Sequence, residues 1–158
     1  MNTSQKVNRT YHPIIRGFQF LYMIIAWLFA LCVACQAYLA GLGIFSSTTW
    51  LAIHGVLEFF LGDATVLMLL LVFLARFPFR IVLLNILLIL DVLLQIMLVT
   101  ALRALKQTAL TALHPANALI LFLLSLLLAY SALRWIRASK KTITPAIPYS
   151  DQQVSDLS

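Results

Sequence analysis

Charged residues are scarce in this chain of 158 residues, since only 10% are Asp, Glu, Lys or Arg. That is too few to cover the surface of a soluble protein of this size. Apolar residues make up 63% of the chain, against roughly 45 to 50% in soluble domains, and the mean hydropathy is +0.99. The composition therefore excludes a soluble protein and favours an integral membrane protein with one compact domain.

Lysine and arginine are absent from four apolar runs, each close to the 20 or so helical residues that cross a hydrocarbon layer of about 30 Å. The runs are residues 18–40, 53–75, 81–102 and 115–133. Helices are the expected form, because lipid offers no partners to backbone N–H and C=O groups. Short connections make consecutive helices antiparallel neighbours. We predict an all-α integral membrane four-helix up-down bundle over residues 18–135, with no internal repeat strong enough to claim.

The cations lie almost entirely on one side of the predicted bundle. Nine of them precede the first run, follow the last run or lie in the connection that holds Arg76 and Arg80, against Arg103 and Lys106 on the other side. The positive-inside rule then places both termini in the cytoplasm. We predict a multi-pass protein of a bacterial cytoplasmic (inner) membrane, with a cytoplasmic segment at 1–17 and a disordered cytoplasmic tail at 136–158.

These positions make the basic residues topological anchors, so nucleic acid is not an expected partner despite the net charge of +6. The lipid bilayer is the expected partner, and a protein partner would be a second copy or another membrane protein. The half of the bundle ringed by cations is expected to be apolar inside.

Cysteine is also scarce, and the two residues present form Cys32-x-x-Cys35. A reactive pair usually lies at a helix N-terminus, where the dipole favours the thiolate. This pair lies in the C-terminal half of an apolar run. We therefore expect small packing residues here, not a redox centre.

Polar residues inside the runs are the candidate functional residues. Three of the five acidic residues, Glu58, Asp63 and Asp91, lie within apolar runs. Each must be protonated, hydrogen-bonded inside the bundle or neutralised by a bound cation or histidine. Intramembrane acids therefore point to a functional site.

One layer in the outer half collects most of these polar residues. By helical rise they are Gln36, His54, Glu58, Gln95, His114 and Asn117. His54 and Glu58 are four residues apart and share a helix face, whereas Asp63 points to the opposite side. His114-Pro115 also predicts a helix start, because proline favours the first helical position.

Two strings in this layer resemble an uncharacterised family of small bacterial four-span membrane proteins. They are Gln36-Ala-Tyr-Leu-Ala-Gly-Leu-Gly-Ile-Phe45, with a histidine about ten residues later, and Leu113-His-Pro-Ala-Asn-Ala-Leu119. The resemblance covers residues 18–135. It implies a membrane location and no known reaction.

The second and fourth helices are diagonal in an up-down bundle, so His54 and His114 are predicted to face each other across the core. A b-type haem held by two imidazoles needs that arrangement, with Glu58 or Gln95 accepting the other ring N–H. Haem b is the first hypothesis. Its cofactor site comprises His54, His114, Glu58, Gln36, Gln95 and Asn117, with His54 and His114 as the metal ligands.

Three alternatives remain open. A divalent metal ion would use His54, His114, Glu58 and Asp91. A small proton-coupled transporter would use Glu58 and Asp91 as proton carriers. A purely structural or interaction protein would use the polar residues as links between helices. No catalytic residue is assigned, and we expect a protein that is not an enzyme.

Overall fold

The computed structural model describes residues 13–141, apart from the side chains of residues 102, 103, 108, 140 and 141. This part of the chain contains no strand. Its helices are α1 (Pro13–Phe45), α2 (Thr49–Leu74), α3 (Phe79–Ala104), the single turn α4 (Thr108–Thr111) and α5 (Leu113–Lys141). The four longest are long and apolar enough to cross a membrane. The all-α prediction is confirmed, and the helices fit a multi-pass membrane protein in contact with lipid.

The four long helices form an up-down bundle. Both α1 and α3 pack against α2 and α5, so α1 is diagonal to α3 and α2 is diagonal to α5. Gln19 near the start of α1 is hydrogen-bonded to Ala75 after the end of α2, and Gln36 late in α1 is bonded to His54 early in α2. Neighbouring helices are therefore antiparallel, as predicted.

The two ends of the bundle differ in composition, and we name them by their residues. The arginine end holds the start of α1, the turn between α2 and α3, and the end of α5, where Arg16, Arg76, Arg80, Arg134 and Arg137 lie. The histidine end holds His54 and His114, at the starts of α2 and α5. Predictions for residues 1–12, which include His12, and for residues 142–158 of the predicted tail lie outside the described residues. The first part of that tail, residues 136–141, belongs to helix α5 and is not disordered.

The helices are longer than the apolar runs predicted. The connection expected at 41–52 is reduced to residues 46–48, because α1 continues to Phe45 and α2 begins at Thr49. Gly43 permits this tight join, since a Cβ at that position would overlap the Leu51 side chain. The apolar runs therefore give the existence and order of the helices but not their ends. The start at His114-Pro115 is confirmed within two residues, because α5 begins at Leu113.

The arginine end contains buried polar contacts, so the prediction of an apolar interior there is wrong. Asn85 of α3 is fully buried and donates from Nδ2 to the Tyr22 hydroxyl of α1 at 2.8 Å. The Tyr22 ring also packs against Phe77 with ring centres 5.0 Å apart. Gln19 donates from Nε2 to the Ala75 carbonyl at 3.1 Å, which satisfies a carbonyl left free at the end of α2. These contacts join three segments from separate parts of the chain.

The turn after α2 closes in a Schellman arrangement. Phe77 N donates to Val72 O at 3.2 Å, and Arg76 N donates to Phe73 O at 3.0 Å. Arg76 has φ of 52°, the left-handed conformation that glycine usually adopts at this position. Arg76 therefore ends α2 at some conformational cost.

The bundle also has an internal two-fold repeat, which the sequence did not reveal. Exchanging α1 with α3 and α2 with α5 preserves the helix contacts, and buried positions recur at a constant shift within each pair. The matched buried residues are Tyr22 and Ile81, Phe29 and Leu88, Val33 and Val92, and Gln36 and Gln95 in α1 and α3, and Leu61 and Leu121, Thr65 and Ser125, Met68 and Leu128, and Val72 and Ala132 in α2 and α5. The pseudo-axis runs along the bundle, so each hairpin of two helices contributes the same surface to the core.

Candidate functional site

Gln36 and His54 form a reciprocal pair between α1 and α2 at the histidine end. The Gln36 side chain donates from Nε2 to the His54 carbonyl at 2.9 Å. In return, Nδ1 of His54 lies 3.0 Å from the Gln36 carbonyl. Because a carbonyl only accepts, Nδ1 carries the proton and the Nε2 lone pair of His54 is free. The pair fixes both the position and the tautomer of this imidazole.

Gln95 and His114 repeat this arrangement between α3 and α5. Gln95 Nε2 donates to the His114 carbonyl at 3.1 Å, and Nδ1 of His114 lies 3.3 Å from the Gln95 carbonyl. Asn117 then donates from Nδ2 to Gln95 Oε1 at 2.7 Å, which orients the glutamine amide. The two pairs are related by the internal repeat, so the histidine end contains two copies of the same Gln–His arrangement.

The two imidazoles meet across the bundle. Their ring centres are 6.2 Å apart and the ring planes are inclined at 73°. Since α2 and α5 are diagonal, the rings come together at the pseudo-axis, as the sequence predicted. Each half-buried ring has its Nδ1–H held by a carbonyl, so Nε2 is its remaining nitrogen, and in His114 that atom lies 3.5 Å from the Gln95 amide nitrogen. Such rings can each accept a proton or ligate a metal ion.

Among the described residues, the acidic side chains do not form a cluster of metal ligands with the imidazole pair. Glu58 and Asp91 are half-buried, and each has a buried oxygen, Oε1 and Oδ2 respectively, without a hydrogen-bond partner. Asn117 interacts with the Asp91 side chain, so Asp91 adjoins the Gln95 and His114 pair. Asp63 is exposed on the outer face of α2, as predicted.

The four-donor metal site expected from His54, His114, Glu58 and Asp91 is not assembled. Within residues 13–141, no group of three or more His, Cys, Asp or Glu side chains is placed to hold a metal ion. Helix periodicity put the acids at a similar depth but could not give their distances from the imidazoles. His54 and His114 remain as candidate ligands. Cys32 and Cys35 are free thiols in α1.

Haem binding is not supported by this geometry. A macrocycle between two imidazoles needs open space around both rings in its own plane. Here the buried amides of Gln36, Gln95 and Asn117 fill the same layer, and the Gln95 amide nitrogen lies 3.5 Å from Nε2 of His114.

The sequence placed all six residues in one layer but did not predict how they pair. It assigned Glu58 or Gln95 to the second ring nitrogen, whereas backbone carbonyls hold both Nδ1 atoms. A signal was present: Leu51-Ala-Ile-His54 and Thr111-Ala-Leu-His114 each follow a buried glutamine, at separations of 18 and 19 residues. The double occurrence of that spacing indicates two equivalent hairpins.

Comparison with protein families gives a partial match. A model described as a family of unknown function, DUF6220, matches residues 36–101. The matched segment begins at Gln36, contains His54, Glu58 and Gln95, and ends before His114. The chain matches no curated protein and no solved structure. The match fits an uncharacterised family and assigns no reaction.

Proposed function

We propose that this chain is a multi-pass protein of a bacterial cytoplasmic membrane that binds a transition-metal ion between His54 and His114 at its outer face. The observation that carries the proposal is the 6.2 Å separation of the two ring centres. Two imidazoles that ligate one ion from opposite sides, at about 2 Å per bond, place their ring centres about 6 Å apart. Imidazole nitrogen suits copper and zinc among the common cellular metals.

Tautomer control supports metal binding. A ligating imidazole normally donates its second N–H to a carbonyl or a carboxylate, which fixes the ring and raises the basicity of the ligand nitrogen. Both histidines have this second contact already, through the carbonyls of Gln36 and Gln95. The metal-binding nitrogens are therefore pre-organised without a ligand.

An excess of hydrogen-bond acceptors also favours a cation. Three buried oxygens at the histidine end have no partner: Gln36 Oε1, Glu58 Oε1 and Asp91 Oδ2. The amides of Gln36 and Gln95 donate to backbone carbonyls, and the Gln95 nitrogen also lies 3.5 Å from Nε2 of His114, a contact that a bound ion would replace. Buried acceptors without donors are costly. A proton would offset that cost directly, and the positive charge of an ion held by the two imidazoles would reduce it without contact with Glu58 or Asp91.

The orientation rests on charge. The arginine end has more cations than the histidine end. The positive-inside rule therefore places the arginine end in the cytoplasm. Both termini would then be cytoplasmic and the histidine pair would face the outside. Fusion of a reporter that works on only one side of the membrane, placed in the 46–48 turn or at the C-terminus, tests this orientation.

Metal titration of the protein in mild detergent tests the binding site. We expect one Cu⁺, under reducing conditions, or one Zn²⁺ per chain, measured by competition with a coloured chelator. His54→Ala and His114→Ala should each weaken binding by on the order of 100-fold, because a two-ligand site loses half its donors. His12→Ala, which removes the remaining histidine, is the matched control and should bind as the wild type does.

The same samples separate the alternatives. Wild-type protein that binds neither ion, or the double variant His54→Ala/His114→Ala binding as tightly as the wild type, would exclude the metal site. A reduced-minus-oxidised haem band that disappears in both single variants would replace the metal ion with haem.

A proton-coupled transporter is the second candidate. Its support is that Glu58 and Asp91 each keep a buried carboxyl oxygen without a partner, one helical turn deeper than His54 and Gln95. Protein reconstituted in vesicles would then release protons when a substrate cation is added. Glu58→Gln and Asp91→Asn should abolish that release and leave metal affinity within about threefold.

A further inference from the structure

Asp63 is exposed on the outer surface of α2, close to the middle of the helix Thr49–Leu74. At a rise of about 1.5 Å per residue, it lies roughly 16 Å or more from either end of the helix. The side chain of aspartate is too short to reach the headgroup region from that depth. A carboxyl group in this position is unfavourable against lipid, so the face around it requires a polar contact.

The internal repeat provides a direct comparison for this face. Because Leu61 matches Leu121 and Thr65 matches Ser125, Asp63 of α2 matches Leu123 of α5. Both positions are exposed, and the α5 face around Leu123 is aliphatic. It consists of Leu119, Ile120, Leu123 and Leu127, which are 67%, 58%, 64% and 50% exposed. That surface is what contact with lipid tails favours.

The α2 face differs at the corresponding positions. Phe59 and Phe60, which are 77% and 65% exposed, replace Leu119 and Ile120 beside Asp63. Gly62 lies next to Asp63, and a Cβ built on it would meet nothing within 4 Å. A glycine beside a polar group lets a second helix approach closely, which is how helices associate in membranes. The symmetric scaffold therefore carries an asymmetric surface.

We propose that this face, formed by Phe59, Phe60, Gly62, Asp63 and Val66, binds the same face of a second copy of the chain. In a two-fold dimer with its axis along the membrane normal, both copies of α2 run parallel and the two Asp63 side chains meet at one depth. A neutral carboxyl group has one donor and one acceptor, so two of them satisfy each other. The face holds no lysine or arginine that could pair with Asp63. The Asp63 carboxyl group of a second copy is the hydrogen-bond partner that the chain itself can supply.

Association in lipid bilayers tests the proposal. Energy transfer between donor- and acceptor-labelled chains, followed as lipid dilutes the protein, gives the dimer dissociation constant. We expect the wild type to dimerise and Asp63→Leu, which copies the matched residue Leu123, to weaken the dimer by about tenfold. Asp63→Asn keeps a donor and an acceptor and should stay within about threefold of the wild type. Leu123→Ala, on the matched face, should change nothing.

Cross-linking locates the interface independently of affinity. In a Cys32→Ala/Cys35→Ala background, Phe59→Cys should form a disulfide-linked dimer under mild oxidation, whereas the matched Leu119→Cys should not. A monomeric wild type, an Asp63→Leu dimer of unchanged affinity, or a Phe59→Cys chain that cross-links to another protein instead of itself would each overturn the proposal.

Discussion

The two ends of the bundle use similar residues in opposite ways. At the arginine end, Gln19 donates to the Ala75 carbonyl and Asn85 donates to the Tyr22 hydroxyl. These contacts tie α1 to α2 and to the diagonal helix α3, and a buried aromatic pair covers them. At the histidine end, each glutamine joins only one hairpin, and the two hairpins meet through imidazole rings.

The unpaired atoms show what this difference means. At the arginine end two buried polar atoms have no partner, the acceptor Asn85 Oδ1 and the donor Trp135 Nε1. At the histidine end three buried oxygens lack partners, and two of them belong to acids. A network in which most polar groups have hydrogen-bond partners stabilises one structure. A layer with more acceptors than donors is stabilised when a cation binds. We infer that the arginine end stabilises the fold, whereas the histidine end has the free acceptors that suit the metal ion proposed above.

The largest expected effect that separates the two ends is that of Asn85→Ala. Asn85 is fully buried, and its loss leaves the Tyr22 hydroxyl without its donor and opens space between α1 and α3. The free energy of unfolding in mixed micelles should fall by about 2 kcal/mol. Metal affinity should stay unchanged, since the site lies at the other end.

Ser125→Ala is the control for this prediction. Ser125 is as buried as Asn85, but its hydroxyl donates only to Phe122 within its own helix at 2.7 Å. Its loss should cost less than about 0.5 kcal/mol. If both substitutions lower the unfolding free energy equally, burial alone determines the loss. The proposed division of roles between the two ends would then be wrong.

The sequence predicted the general architecture but not this division. Apolar length and cation positions were enough for the four helices, and the 3.6-residue period placed His54, Glu58 and Asp63 on the correct faces. Tyr22 and Asn85 are 63 positions apart, and their contact depends on how diagonal helices rotate about their axes. A period within one helix carries no information about that rotation. The same limit explains why both Gln–His pairs were missed.

An intermediate effect is expected at Glu58, which tests the donor shortage at the histidine end. Glu58→Leu removes a buried oxygen that has no partner, and replacing such a group with an apolar one relieves its desolvation cost. The unfolding free energy of metal-free protein should rise by about 1 kcal/mol. Thr65→Leu is the contrasting control, because the Thr65 hydroxyl is buried and already donates to Gly62 O at 2.7 Å. That substitution should destabilise the protein, and a stabilisation of similar size at both positions would argue against a specific shortage.

The smallest expected effect concerns the one strained residue of the arginine end. Arg76 closes the Schellman arrangement after α2 with φ of 52°, where a side chain costs about 1 kcal/mol. Arg76→Gly should therefore raise the unfolding free energy by about 0.5 kcal/mol, the gain being reduced by the greater freedom of glycine in the unfolded chain. Arg80→Gly removes the same charge from the first turn of α3, where no such strain exists, and should lower stability by roughly 1 kcal/mol. If the unfolding free energy rises in Arg76→Gly and falls in Arg80→Gly, the turn is stable despite the strain at Arg76, because the Gln19 and Tyr22 contacts around it hold it in place. A loss of stability in both variants would instead assign the arginines themselves a larger part in holding this end together.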